Sequence, residues 1–245
     1  MDYNLLFFTA ATGRYKIFIT PYIFFALYHN PNAKAEIMTD NVSDYLRRNA
    51  AADRVLGRMF AGRYIYREIP RGIEPHTARF VVEPVTHCKY TYANDVDILI
   101  LESDVVETHE AILAERNSIF SNRMRGTNKL TGVHFVKTDP YYGLTRVARQ
   151  QNKLMDEQAL YDIVKKGVGE PQKYTSDKRP IHGFHVSMNR PPVPAHEGQA
   201  AWKTGPEPLR EIYRATIKTR QWAEVFPTFN ERFKEVLKTL NGYVL

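Results

Sequence analysis

Asp95 and Asp97 stand two residues apart in TYANDVDILILESD, residues 91–104, a stretch that otherwise has the composition of a buried strand. An ionised carboxylate is costly to bury, and two so close repel each other. On an extended chain, residues i and i+2 point to the same side. Both carboxylates can therefore converge on one divalent cation, which relieves the repulsion. A metal held there and also bound to a diphosphate stabilises the charge building on a leaving phosphate. The alternative is a turn in which the aspartates accept backbone N–H bonds.

Three other places carry residue types suited to the same chemistry. HGFH supplies His182 and His185 near the end of a late strand, and either imidazole suits a manganese-like ion as a third ligand. For each one alone, an ordinary hydrogen-bonded histidine is the alternative. In MDEQ, Asp156 and Glu157 open a helix. Asp156 can cap that helix, or a carboxylate can face a reacting sugar as base or as stabiliser of an oxocarbenium-like transition state. The loop SNRMRGTNKLTG, residues 121–132, carries Arg123, Arg125 and Lys129 around Gly126; it can close over phosphates or simply face solvent. Arg79 precedes the acidic strand by one helix, and it can reach the same rim or pair with Glu83 four residues on.

Strands at 3–10, 34–40, 62–70, 89–101, 130–139 and 179–188 are expected to position these groups. Helices are expected at 15–30, 41–59, 76–88, 155–167 (with Gly167 as its stop), 206–225 and 228–241. Strands alternating with helices of this length predict an α/β fold with a mainly parallel central sheet. In such sheets ligands bind outside the carboxyl ends of the strands, which puts the Thr9–Tyr15 loop, Asp40 and the Asp95/Asp97 pair on one rim. The last two helices are basic and amphipathic, with Leu209, Ile212, Tyr213, Ile217, Phe229, Phe233, Val236, Leu237 and Leu240 at helical spacing. Packing on the main domain is expected of them; a peripheral membrane or partner contact is the alternative.

Composition narrows the classes. The 245 residues are 43% hydrophobic and 25% charged, ordinary for a globular protein. A net charge of +7 suits an anionic partner such as a nucleotide, nucleic acid or acidic membrane surface. Cys88 is the single cysteine, which excludes an intrachain disulfide and a four-cysteine zinc site and favours a reducing, cytoplasmic setting. The early apolar run IFITPYIFFALY contains Pro21 and is too short to span a bilayer, which needs roughly 20 residues. No basic region precedes it, so a signal peptide is not expected. There is no G-x-x-x-x-G-K-[ST], G-x-G-x-x-G or G-x-S-x-G, which argues against P-loop, Rossmann dehydrogenase and serine hydrolase chemistry.

Taken in order, NLLFFTAATGRY, NPNAKAEIMTDN, TARFVVEP, YANDVDILI, LTGVHFVKTD, MDEQALYDIV and RPIHGFHVSMNR resemble a GT-A fold glycosyltransferase over residues 3–190. The layout is most similar to family 8, glycogenin and galactosyltransferase-like, and to related bacterial and viral polysaccharide enzymes. The resemblance implies a GT-A-like (Rossmann-like) nucleotide-sugar-binding and catalytic domain at 1–195 and a helical extension at 196–245. It implies Mn²⁺ (or Mg²⁺) held by Asp95, Asp97 and a late histidine, His185 or His182. It places Thr9, Ala10, Thr12, Tyr15 and Asp40 at the donor nucleotide, Arg79 and Asp95 at the donor, and Asp156, then Glu157, near the donor sugar. The implied activity is transfer of a sugar from a nucleoside-diphosphate sugar, UDP favoured, to a glycan or other hydroxyl acceptor, with no nucleic acid partner. Where the family has His-Phe-x-Gly followed by Lys-Pro-Trp, this chain has HGFHVSMNRPP, so neither the metal histidine nor the diphosphate lysine is assigned. The alternatives are a non-catalytic nucleotide-sugar or nucleic-acid binder and a sugar-phosphate nucleotidyltransferase.

Overall fold

The computed structural model describes residues 3–196 and 198–245. Its strands are β1 (Leu5–Ala10), β2 (Ala33–Thr39), β3 (Tyr64–Glu68), β4 (Tyr90–Ala93), β5 (Ile98–Ile100), β6 (Phe120–Ser121), β7 (His134–Lys137) and β8 (Gly183–His185). The α-helices are α1 (Ile19–His29), α2 (Val42–Arg48), α3 (Ala50–Met59), α4 (Pro75–Val81), α5 (Val105–Glu115), α6 (Thr138–Gln150), α7 (Asp156–Gly167), α8 (Glu207–Thr216), α9 (Arg220–Val225) and α10 (Glu231–Val244). Six strands form the central sheet in the order β3-β2-β1-β4-β7-β6, and β5 pairs with β8 apart from it. The first four strands run parallel, while β7 is antiparallel to both of its neighbours. The fold is the expected α/β architecture with a mostly parallel sheet flanked by helices.

Burial explains the strand sequences. β1 is paired on both edges and all six of its residues are buried, so LLFFTA shows no polar alternation. Glu36 in β2 is fully buried, yet Arg67 lies 2.5 Å away and the Thr86 N–H donates to it at 2.8 Å. Its charge is structural.

Several boundaries differ from expectation for identifiable reasons. The strand expected at 89–101 is split: Asn94–Asp97 leave the sheet, so the two aspartates sit in a turn between β4 and β5. The Tyr22 hydroxyl donates to Asn94 at 2.5 Å and the Ile98 N–H to the Asp95 carbonyl at 3.2 Å, which pins that turn. The helix expected at 76–88 ends at Val81, ahead of Pro84, whose ring disfavours helical backbone at the residue before it. The helix at 41–59 breaks at Asn49, whose side chain donates to the Tyr45 carbonyl at 2.8 Å. Strand 130–139 is reduced to β7, and 179–188 to β8. α7 ends at Gly167 as expected, though not by a left-handed cap; a β-carbon there would lie 2.8 Å from the Thr145 Cα of α6. Close approach of the two helices is what requires glycine.

The single helix expected at 206–225 is two, because Thr219 caps α9 by accepting from the Trp222 N–H at 3.2 Å. Leu209, Tyr213, Phe229, Phe233, Leu237 and Leu240 are all buried. The aromatic rings of this segment pack on α1 and the turn before it, with Phe18–Phe233 centroids 5.4 Å apart, Phe25–Tyr213 6.1 Å and Phe24–Trp222 5.8 Å. These apolar positions are spent on the core and are not available to a membrane surface. Among the described residues no helix is long and apolar enough to cross a membrane.

Two buried histidines give the fold a pH dependence. His109 stacks on Phe135 at 4.4 Å, and burial, aided by the neighbouring His182 and His134, holds it well below its usual pKa. Burial pushes His134 down to about 3. Both are neutral when folded, whereas in the unfolded chain they protonate near pH 6.5. The unfolded state therefore binds more protons below that pH. Stability is full above about pH 6.5 and falls as pH drops toward 3, by up to about 1.4 kcal/mol per pH unit for each histidine. Urea midpoints between pH 7 and pH 4.5 should show this slope, and His134→Gln should make it shallower. An unchanged slope in that variant would contradict the assignment.

Candidate active site

The loop after β1 and the turn after β4 emerge at the carboxyl ends of adjacent parallel strands, where α/β sheets bind ligands. Between them lies a cavity of about 320 Å³. The pairing of β5 with β8 closes its floor: His185 stands opposite Ile98, and the Val186 N–H donates to the Asp97 carbonyl at 3.0 Å. That register brings His185 Nε2 to 3.3 Å from Asp97 Oδ1 and 3.9 Å from Asp95 Oδ2.

Asp95, Asp97 and His185 each offer a ligand atom, all within 4.8 Å of one another. Octahedral coordination at about 2.1 Å separates neighbouring ligand atoms by about 3 Å, so the spacing fits a small divalent ion after slight contraction. Two carboxylates and one imidazole also suit manganese or magnesium better than a soft thiolate-seeking metal. The other oxygen of Asp95 accepts from Arg79 at 2.7 Å, an outer contact that orients a ligating carboxylate.

Cations surround this pair. Burial works to raise the Asp95 pKa, but the charges of Arg79, His185, Arg179 and Arg190 outweigh it and the carboxyl is held below its usual range. Arg79, 5% exposed, lies 2.7 Å from Asp95 and 3.4 Å from Asp156, joining the turn to the start of α7. Gly132 lets that guanidinium pass, since a β-carbon there would meet it at 3.0 Å. Across the cavity, Glu157 pairs with Arg125 at 2.6 Å.

Asp156 does not cap α7. It is the first helical residue, has φ +44°, and its side chain makes no capping bond. Positive φ is uncommon outside glycine, with Asp and Asn its commonest exceptions. The conformation is held by Thr77, whose hydroxyl oxygen accepts from the Asp156 N–H at 2.8 Å. The carboxylate is thereby left facing the cavity.

Of the residues singled out in the sequence, Ala10, Thr12, Tyr15, Arg79, Asp95, Asp97, Asp156, Glu157 and His185 line the cavity. Thr9, Asp40 and His182 do not. The Thr9 hydroxyl is buried and donates to the Asn94 carbonyl at 2.8 Å, steadying the turn that carries Asp95. Asp40 pairs with Lys16 at 2.5 Å, half exposed. His182, with φ +55°, bonds through Nδ1 to Glu102 at 2.7 Å and belongs with Glu102 and Asp104 to a separate group. His182 precedes β8, and its left-handed backbone turns it to Glu102, whereas His185 within β8 faces Asp95 and Asp97, so the two histidines belong to different groups. The pairing of Arg79 with Glu83 is also not formed; Glu83 pairs with Arg149 at 3.0 Å.

Arg179, Arg190, Gly132, Ser187 and Asn189 line the cavity without having been singled out. One signal was present: Arg179 and Arg190 bracket the HGFH strand. Arg14, after β1, donates to the Asn189 side chain, which links the two loops.

No family model and no curated protein matches the chain. Among solved structures it is similar to the galactosyltransferase LgtC in complex with donor and acceptor sugar analogues, at 15% identity over 70% of this chain and 72% of that one, TM-score 0.45. It is also similar to the glycosyltransferase GlyE of Streptococcus pneumoniae TIGR4, at 10% identity over 72% and 46%, TM-score 0.49. A third is the 4-diphosphocytidyl-2C-methyl-D-erythritol synthase of Anaerococcus prevotii DSM 20548, at 8% identity over 66% and 84%, TM-score 0.44. The chemistry of the cavity rests on its own residues.

Proposed function

We propose that this protein is a metal-dependent glycosyltransferase that moves a sugar from a nucleoside-diphosphate sugar, UDP favoured, to a hydroxyl of a glycan. The observation that supports this is the convergence of Asp95, Asp97 and His185 in one cavity with Arg79, Arg179 and Arg190 beside them and a second carboxylate pair, Asp156 and Glu157, among its lining. That combination suits a substrate with a dense negative charge next to a centre that turns positive as it reacts.

Mn²⁺ (or Mg²⁺), bound by Asp95, Asp97 and His185, would supply Lewis-acid neutralisation of the leaving diphosphate. Ala10, Thr12 and Tyr15 line the end of the cavity nearest β1 and would receive the nucleoside. In the transfer, the acceptor oxygen bonds to the anomeric carbon as the bond from that carbon to the diphosphate oxygen breaks. The nucleoside diphosphate departs, and the acceptor proton passes to a carboxylate or to the departing phosphate. Asp156, held by Thr77 and Arg79, would stabilise positive charge on the sugar ring. Glu157 is tied to Arg125 and is the second choice for that role.

A panel of nucleotide-sugars with and without Mn²⁺, read by thermal shift, tests the proposal. A ligand that binds only the folded state raises the melting temperature, and a UDP-sugar should do so only with the metal present. Turnover should release a nucleoside diphosphate. Release of pyrophosphate would indicate nucleotidyl transfer, and metal-independent, steeply salt-sensitive binding of nucleic acid would indicate a binding protein.

A further inference from the structure

A second cavity, of about 480 Å³, adjoins the active site and shares Arg125 and Arg179 with it. Four cations line it, Arg123, Arg125, Arg179 and Lys203, and no acidic residue does. Only Arg125 has a carboxylate partner among the described residues, Glu157 at 2.6 Å. Arg179 Nε is buried with no partner at all. Burial, and then the charges of Arg179, Arg190, Arg123 and Arg125, lower the pKa of Lys203. Like charges lining one cavity repel one another, and an anion bound among them would relieve that repulsion.

The group is also rigidly mounted. The main chain of Lys203 pairs in both directions with His185, at 2.9 and 3.0 Å, so its cation is carried beside the strand that supplies the candidate metal histidine. The second cavity shares no residue with the loop after β1 and contains none of the candidate metal ligands. It joins the active site at Arg125, whose partner Glu157 follows Asp156 in the first turn of α7, and at Arg179, whose charge also reaches Asp95. Arg123 and Lys203 therefore lie outside the active-site lining, on the side of the Arg125–Glu157 pair, away from the candidate metal ligands and the loop after β1, so they are available to a second substrate.

We propose that this second cavity is the acceptor subsite and that the acceptor is a sugar bearing an oxyanion, carboxylate or phosphate, gripped by Arg123 and Lys203, with Arg179 standing between the two cavities. This rests on the glycosyl-transfer function proposed above. Guanidinium forks match both oxyanions in a bidentate manner, while the apolar surface of Met124 and Ile181 in the same cavity can receive the sugar ring.

The test uses galactose, galacturonate and galactose 6-phosphate, titrated calorimetrically into the full chain loaded with Mn²⁺ and UDP. Charged sugars should bind at least ~10-fold more tightly than galactose, and whichever of the two wins identifies the anion. In the Arg123→Ala/Lys203→Ala double variant, whose side chains are exposed, that advantage should fall about 10-fold while UDP–Mn²⁺ binding stays unchanged. Equal binding of neutral and charged sugars, or an advantage that survives the double substitution, overturns the proposal. If UDP–Mn²⁺ and GDP–Mn²⁺ both fail to bind, glycosyl transfer is refuted separately. Titration of the metal-free chain with inorganic phosphate then reads the cavity: binding lost in the double variant supports an anion site, and binding unaltered or absent overturns it.

Discussion

Replacing Asp97 with alanine should abolish the Mn²⁺-dependent rise in melting temperature caused by a nucleotide-sugar and lower transfer by about 10³-fold or more, the several kcal/mol that a metal contributes to a leaving phosphate. Asp97 is 3% exposed, and its carboxylate faces His185 at 3.3 Å. Its backbone carbonyl, which accepts from Val186, survives the substitution, so the turn is retained and the loss is confined to the carboxylate. Asp97→Asn makes a sharper control, because it keeps the volume and removes only the charge. Initial rates across a range of Mn²⁺ concentrations should show both variants failing at saturating nucleotide-sugar. Full transfer by either variant with Mn²⁺ present would sink the metal assignment.

The second large effect is expected at Gly183, which is not among the residues lining the cavity. A β-carbon there would collide with the carbonyl oxygen of Leu99 and lie 2.7 Å from its carbonyl carbon. Leu99 belongs to β5, so the clash falls on backbone that no rotamer change can relieve. Gly183→Ala must push β8 off β5 and with it His185, two residues on and opposite Ile98. Overpacking of this kind costs about 1–3 kcal/mol, occasionally more, and a displacement of about 1 Å at a reacting site can cost about 10²-fold in rate. Urea unfolding and Mn²⁺ titration on the same protein should show stability and metal affinity falling together. Gly143 of α6 provides the contrast, since a β-carbon there meets nothing within 4 Å. Alanine at that position should be neutral or slightly stabilising. Unimpaired metal binding in Gly183→Ala would show that the β5–β8 pairing does not position His185.

Much of the site was legible from local chemistry. Two acids beside an apolar run could be tolerated only with a cation or a turn, and both halves of that alternative occur together: Asp95 and Asp97 occupy a turn and still converge with an imidazole. Asp156 was recognisable as the start of a helix, but not its φ of +44°, which depends on Thr77 from a distant part of the chain. Asp40 stands at the end of β2 as the rim rule expects, yet it is not among the residues lining the cavity and pairs with Lys16, because position at a strand end does not specify side-chain direction. Arg79 had a local candidate partner in Glu83, yet α6 supplies Arg149 to Glu83 and leaves Arg79 for Asp95.

By itself, the sequence determined the layered α/β plan, the burial of β1 and α1, and the closeness of two acids to a buried apolar run; it did not show that they leave the strand. Apolar runs, prolines and caps act over a few residues and need no knowledge of the rest of the chain. Only the tertiary structure put His185 rather than His182 beside Asp95 and Asp97, brought Arg179 and Arg190 to the same cavity, and set Lys203 beside His185 at a second, cationic one. Those outcomes depend on the register of β8 against β5, a pairing across more than 80 residues. In a strand each one-residue shift exchanges the two faces, so long-range pairing determines which side chains meet.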